Sequence, residues 1–141
     1  MAYLADTSAW VKSRQRSAPG WLRERFDRLL GDDQIVICDM VKLELLHHES
    51  DPDRFDGRRA DLDALPWCEI GVEQWSRALH TQQALSRAGS ARHRGVANPD
   101  YLIAAAAEAA GLTLLHYDGD YDAVAEVTGQ PAEWLADRGT L

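Results

Sequence analysis

Apolar positions along the chain follow two regimes, short continuous runs of strand length and longer stretches in which they recur every three or four residues. Residues 2–5 form the first run and Ile35-Val36-Ile37-Cys38 the second. Residues 65–70 predict a third strand, residues 112–117 a fourth, and Ala132-Glu133-Trp134-Leu135 an edge strand. The helical stretches fall between them. One begins near Ala9, where Thr7-Ser8 offer a cap. In the next, Trp21, Leu22, Arg25, Phe26, Leu29 and Leu30 recur until Gly31 stops them. Asp39 offers a cap to a third, in which Met40, Val41, Leu43, Leu45 and Leu46 surround one acid, Glu44. A loop and a charged helix occupy 51–63. Residues 72–87 predict a helix with Trp75, Ala78 and Leu79 inward, followed by a loop at Ala88-Gly89-Ser90. Asn98-Pro99 then opens an alanine-rich helix that ends at Gly111, and a last helix over 121–127 is stopped by Gly129. Strands alternating with helices through short connections predict an α/β fold with a mainly parallel central sheet of four to five strands, in one domain over residues 1–141.

Composition narrows the function more than the fold. A net charge of −8 argues against a protein that holds nucleic acid on a broad basic surface, and leaves room for one that grips phosphate through metal ions. No apolar run approaches the roughly 20 residues of a membrane span, and the opening residues lack a secretory pattern, so a cytoplasmic protein is expected. Cys38 and Cys68 stand in apolar contexts without metal-type spacing, which predicts buried reduced thiols.

The candidate chemistry lies in carboxylates. In open parallel sheets functional groups collect outside the carboxyl ends of the strands. Asp6 and Asp118 both follow predicted strands. Asp100 opens the helix that leads into the strand before Asp118, and Glu44 lies one turn into the helix after the second strand. Each has a plain structural reading: Asp6 as a cap, Asp100 as a favourable charge at a helix start, Asp118 as a turn residue. Glu44 is harder to place that way, since an unpaired acid on an apolar face is costly. Four acids drawn together in a low-dielectric cleft repel one another and persist best around a divalent cation. Oxygen donors without Cys or His point to Mg²⁺ or Mn²⁺, and ion-activated water suits phosphodiester hydrolysis. A calcium loop at Asp118-Gly119-Asp120-Tyr121-Asp122 fails, because its sixth position is Ala123 and its twelfth Gly129.

Four stretches in order, Leu4-Ala5-Asp6-Thr7-Ser8-Ala9, Leu43-Glu44-Leu45-Leu46, Asn98-Pro99-Asp100-Tyr101-Leu102-Ile103-Ala104-Ala105 and Leu114-Leu115-His116-Tyr117-Asp118-Gly119-Asp120-Tyr121, resemble the PIN-domain nucleases, in particular the VapC toxins of toxin–antitoxin systems. The resemblance implies a PIN-like α/β/α sandwich and an endoribonuclease. Asp6, Glu44, Asp100 and Asp118 would hold Mg²⁺, with Mn²⁺ able to substitute, and Ser8 and Asp120 would support them. It also implies an RNA substrate, a VapB-like antitoxin and a homodimer. Three aspartates, Asp118, Asp120 and Asp122, occupy a place where the family usually relies on one or two, which leaves the ligand there open. Tyr121 fills a variable position.

Arg92-His93-Arg94 is the one compact basic group. Arg92 and Arg94 are candidate RNA contacts, with His93 a weaker candidate acid. Trp10, Trp21 and Leu22 are candidate seats for a partner's helix, although burial in the core or in a homodimer is the expected place of at least some of them. The alternative to a nuclease is a catalytically silent RNA-binding module of the same fold. A phosphoacceptor domain fits poorly, because Lys12 and Lys42 are the only lysines and both come too early.

Overall fold

The computed structural model describes residues 2–89 and 91–141; Ser90 of the expected loop lies outside them. Among the described residues four strands form one sheet, β1 (Tyr3–Ala5), β2 (Ile35–Val36), β3 (Thr113–His116) and β4 (Ala132–Trp134), in the order β2-β1-β3-β4. Every pairing is parallel, with Tyr3 opposite Ile35 and Thr113, Ala5 opposite Leu115, and His116 opposite Trp134. Successive side chains of a strand point to opposite faces, yet Tyr3, Leu4 and Ala5 are all buried, so both faces of the central strand are covered. The helices are α1 (Thr7–Arg14), α2 (Gly20–Gly31), α3 (Asp39–Leu46), α4 (Pro52–Asp63), α5 (Val72–Arg87), α6 (Asn98–Ala109) and α7 (Asp120–Thr128), with a 3-10 turn at Arg92–Gly95. The alanine-rich pattern of α6 has a packing reason: residues 100 to 107 are all buried, and small side chains let α6 lie close to β3, α5 and α7.

Several expectations are corrected. Residues 65–70 are not a strand. Ile37 meets Trp67 in one isolated parallel bridge, in which Ile37 N donates to Pro66 O at 2.9 Å and Cys68 N to Ile37 O at 3.0 Å. Pro66 has no N–H to extend the ladder, and β2 is correspondingly only two residues long. The expected caps shift by a residue. Asp6, not Thr7-Ser8, caps α1, and Cys38 precedes α3, so Asp39 is its first helical residue. Ala97, with no capping atom, precedes α6. On α5 Ala78 faces inward as expected, together with Thr81 and Leu85, whereas Trp75 and Leu79 are exposed. Trp10 and Leu22 are core residues, Trp10 lying edge-on to Phe26 at 5.1 Å, and of the three candidate partner seats only Trp21 is exposed. Cys38 and Cys68 are free and buried, their thiols pushed up to about 11 and about 12 by desolvation. Among the described residues no helix is long and apolar enough to cross a membrane.

Candidate active site

The carboxyl ends of β1 and β3 lie side by side, and the site is built across them. Asp6 follows β1, its backbone N–H donating to Leu115 O at 2.9 Å. Its side chain is buried and held at both oxygens. Oδ2 accepts from Ser8 N at 2.9 Å and Ser8 Oγ at 2.6 Å, and Oδ1 accepts from the Tyr121 hydroxyl at 2.6 Å. Ser8 Oγ in turn accepts from Tyr117 N at 2.9 Å, so one hydroxyl ties the start of α1 to the end of β3.

Asp100 sits in the first turn of α6 and is only 8% exposed. Tyr121, fully buried, reaches it at 3.1 Å. Asp118 lies in the turn after β3, where its Oδ1 accepts from Asp120 N at 2.9 Å, and Asp120 opens α7. Carboxylate oxygens of Asp100, Asp118 and Asp120 all lie within 4.8 Å of one another. Glu44, half-buried on α3, accepts from Thr7 Oγ1 at 2.8 Å, which turns it toward the end of β1. Asp122 points elsewhere, accepting from Trp134 Nε1 at 3.0 Å. Among the three clustered aspartates the geometry thus joins Asp118 and Asp120 to Asp100 and leaves Asp122 aside.

The electrostatics follow from this crowding. The Asp100 carboxyl is raised to about 7, first by burial and then by the charge of Asp6, with smaller contributions from Asp118 and Glu44 and a partial offset from the Tyr121 hydrogen bond. Asp120 is raised too, by burial and then by Asp118. Asp100 therefore responds to Asp6, Glu44 and Asp118 at once, the four acids singled out from the sequence. An all-oxygen set with three atoms this close fits a hard divalent ion, whose charge would relieve the repulsion.

The family model described as "PIN domain" matches residues 3–127. The chain belongs to the PIN-domain family. Ribonuclease VapC18 of Mycobacterium tuberculosis is 42% identical over 142 residues, covering 100% of both chains, and Ribonuclease VapC51 of the same organism is 35% identical over 141 residues, covering 100% of this chain and 98% of the other. Among solved structures, a DNA-bound VapBC from Salmonella typhimurium superposes with a TM-score of 0.71 at 18% identity, covering 96% of this chain and 99% of that one. VapBC-1 of nontypeable Haemophilus influenzae gives 0.71 at 16%, covering 96% and 98%. At those identities the structures attest the PIN fold.

Two residues of this PIN domain escaped the sequence reading as parts of the site. Tyr121 was only a tolerable occupant of a variable position, and Thr7 only a cap. A tyrosine one residue after an acid in an Asp-x-Asp-Tyr run, on a helix packed under the sheet edge, was the available signal. His116 also belongs to the frame. It is fully buried with its side chain lowered by desolvation, and its Nδ1 accepts from Asp118 N at 3.2 Å, which fixes the turn carrying Asp118. The basic turn is less open than its sequence suggests, because Arg92 is paired with Glu126 at 2.9 Å. Arg94 is exposed.

Proposed function

We propose that this PIN-domain protein is a metal-dependent endoribonuclease, the toxin of a toxin–antitoxin pair, with Asp6, Glu44, Asp100 and Asp118 as its working acids and Asp120 joining them. The observation that carries the reading is the convergence of Asp100, Asp118 and Asp120 oxygens beside Asp6 and Glu44. The full-length likeness to VapC ribonucleases supports the substrate class. Mg²⁺ is the natural ion for such oxygen donors and Mn²⁺ an able substitute. When bound, the ion supplies charge stabilisation at the phosphodiester and lowers the pKa of the attacking water.

The chain's own residues do the rest. Ser8 and Tyr121 clamp Asp6, Thr7 clamps Glu44, and the Asp120 N–H with the His116-braced turn holds Asp118. Such fixed orientation lets the carboxylates meet an ion without reorganising. Arg94, with Arg92 once freed from Glu126, would hold the RNA backbone outside the acids. The neighbouring partner would be a VapB-like antitoxin in the cytoplasm, and the exposed row Val72, Trp75 and Leu79 on α5 supports a homodimer.

The deciding assay incubates the purified protein with RNA in Mg²⁺, in Mn²⁺ and in EDTA. Cleavage in the first two and none in the third is expected. RNA binding without cleavage in any of the three would instead favour the silent binding module.

A further inference from the structure

A cavity opens beside Glu44. It has a volume of about 380 Å³, within the roughly 300–1,000 Å³ of small-ligand pockets, and its walls include Thr7, Val11, Glu44, His47, His48 and Arg58. Glu44 and Thr7 belong to both places, since the Thr7 hydroxyl orients the same Glu44 carboxylate whose charge reaches Asp100. The cavity thus adjoins the acids through Glu44.

Its lining carries one carboxylate, Glu44, and one guanidinium, Arg58, while the cations around it are neutralised by acids. Lys42 is bonded to Asp63 at 2.9 Å, Arg59 faces Asp63 at 3.5 Å and Arg54 faces Asp51 at 3.9 Å. Arg58, exposed on α4 and lining the cavity, has no ion-pair partner among the described residues. His47 and His48, at the end of α3, meet edge to face with ring centroids 4.8 Å apart and are both exposed. An unpaired guanidinium, two imidazole faces and the apolar Val11 side chain next to a phosphodiester-cutting centre match the three parts of one nucleotide. A guanidinium takes the phosphate in a fork, ring faces take an unstacked base, and aliphatic surface covers the sugar.

We propose that this cavity is a subsite for the nucleotide flanking the scissile phosphodiester of a single-stranded RNA, with Arg58 on its phosphate and His47 and His48 on its base. The proposal rests on the ribonuclease reading for its context, and it makes Arg58 and the histidines binding and specificity residues without a part in the chemistry.

The test uses the full chain and short single-stranded RNAs that vary at one position next to the cut. Arg58→Ala is expected to raise KM roughly tenfold with a smaller change in kcat, to weaken RNA binding by the Asp100→Asn protein by a similar factor, and to reduce the salt slope of binding by about 1. Arg58→Lys should recover part of that loss. Arg59→Ala, which removes a charge from the same helix outside the cavity, should have less than a threefold effect. His47→Ala with His48→Ala should flatten the preference at the varied position. Cleavage by the parent together with unchanged KM, affinity and salt slope in Arg58→Ala overturns the subsite and leaves the nuclease standing, and so does an unchanged base preference in the double histidine variant. Absence of cleavage by the parent with Arg58-dependent RNA binding overturns the nuclease reading and, since no bond is then scissile, the placement of the subsite beside one. A chain that neither cuts nor binds RNA, or one in which Arg58→Ala weakens only an acidic peptide, overturns the subsite as well.

Discussion

Tyr121 has one hydroxyl proton and two carboxylates in reach, and the site's behaviour turns on that shortage. Asp6 has the shorter contact and two further donors in Ser8; Asp100 has the longer contact, is buried, and is lifted to about 7. Three consequences are testable. Asp6→Asn and Asp100→Asn should each lower RNA cleavage by several orders of magnitude with an unchanged far-ultraviolet circular dichroism spectrum; cleavage within tenfold of the parent for either would sink its assignment. In EDTA, the proton balance of Asp100 sets a pH dependence. The folded chain holds that proton until about pH 7, while the unfolded chain releases it near the ordinary 3.8. Between those values the folded state binds more protons, so the contribution is complete below about pH 4 and is lost as pH rises through 7. The melting temperature of the metal-free parent minus that of Asp100→Asn should therefore fall from pH 5 to pH 8, on the order of 5 °C. A flat difference would mean that Asp100 is already paired. Tyr121→Phe removes the hydrogen bond that lowers Asp100, so it should cut cleavage and Mn²⁺ affinity by roughly 10–100-fold, measured by rate assay and titration calorimetry.

At the scale of elements, the four aspartates are delivered by the starts of helices and the turns after strands, and Glu44 by the second turn of α3; the first of these were readable in the sequence. Gly111 and Gly129 both adopt positive φ, 67° and 72°, where a glycine avoids the strain of a side chain, so the ends of α6 and α7 stood at the expected residues. The places of Asp6, Asp100 and Asp118, each just beyond a strand or just inside a helix, were legible for the same reason, whereas Glu44 stood out as the lone acid among apolar residues of α3. Other features depended on tertiary contacts that a local pattern does not contain. Residues 65–70 are apolar enough for a strand, but one bridge to Ile37 is all they make. Trp75 and Leu79 share a helical face as the pattern required, yet it is the outer one. Tyr121 lies 115 residues from Asp6 along the chain, and nothing local announces that contact. Ser8 shows how an element boundary carries the site. Its hydroxyl both donates to Asp6 and accepts from Tyr117 N, so Ser8→Ala frees the α1 start from the β3 end and leaves a part-buried N–H unpaired. The expected cost is about 1–3 kcal/mol of stability in EDTA together with a roughly tenfold loss of Mn²⁺ affinity, read by thermal melting and calorimetry. A variant with parental stability and affinity would reduce Ser8 to a bystander.

For the molecule as a whole, net charge and site charge have the same sign. A chain at −8 with a cleft of acids repels the RNA backbone unless ions or local cations intervene, and it attracts a peptide that presents arginine or lysine. Such a side chain reaching Asp100, Asp118 and Asp120 would replace the ion's charge with its own and leave RNA nothing to engage. An enzyme that cuts cellular RNA needs restraint of that kind, and in the proposed toxin–antitoxin pair the neighbouring antitoxin would supply it. Leu43, exposed on α3, and Trp21, exposed on α2, offer apolar anchorage that holds the partner independently of the cleft. Inhibition and attachment should then separate. Saturation with the adjacent-gene antitoxin should abolish cleavage. Excess Mg²⁺ should restore part of it, because ion and cation compete for the same oxygens. Replacing the inserted basic residue by alanine should restore most activity while the complex still elutes as one species in size-exclusion chromatography. Full activity at saturating antitoxin, or loss of the complex with that single replacement, would place the partner's hold somewhere other than the acids.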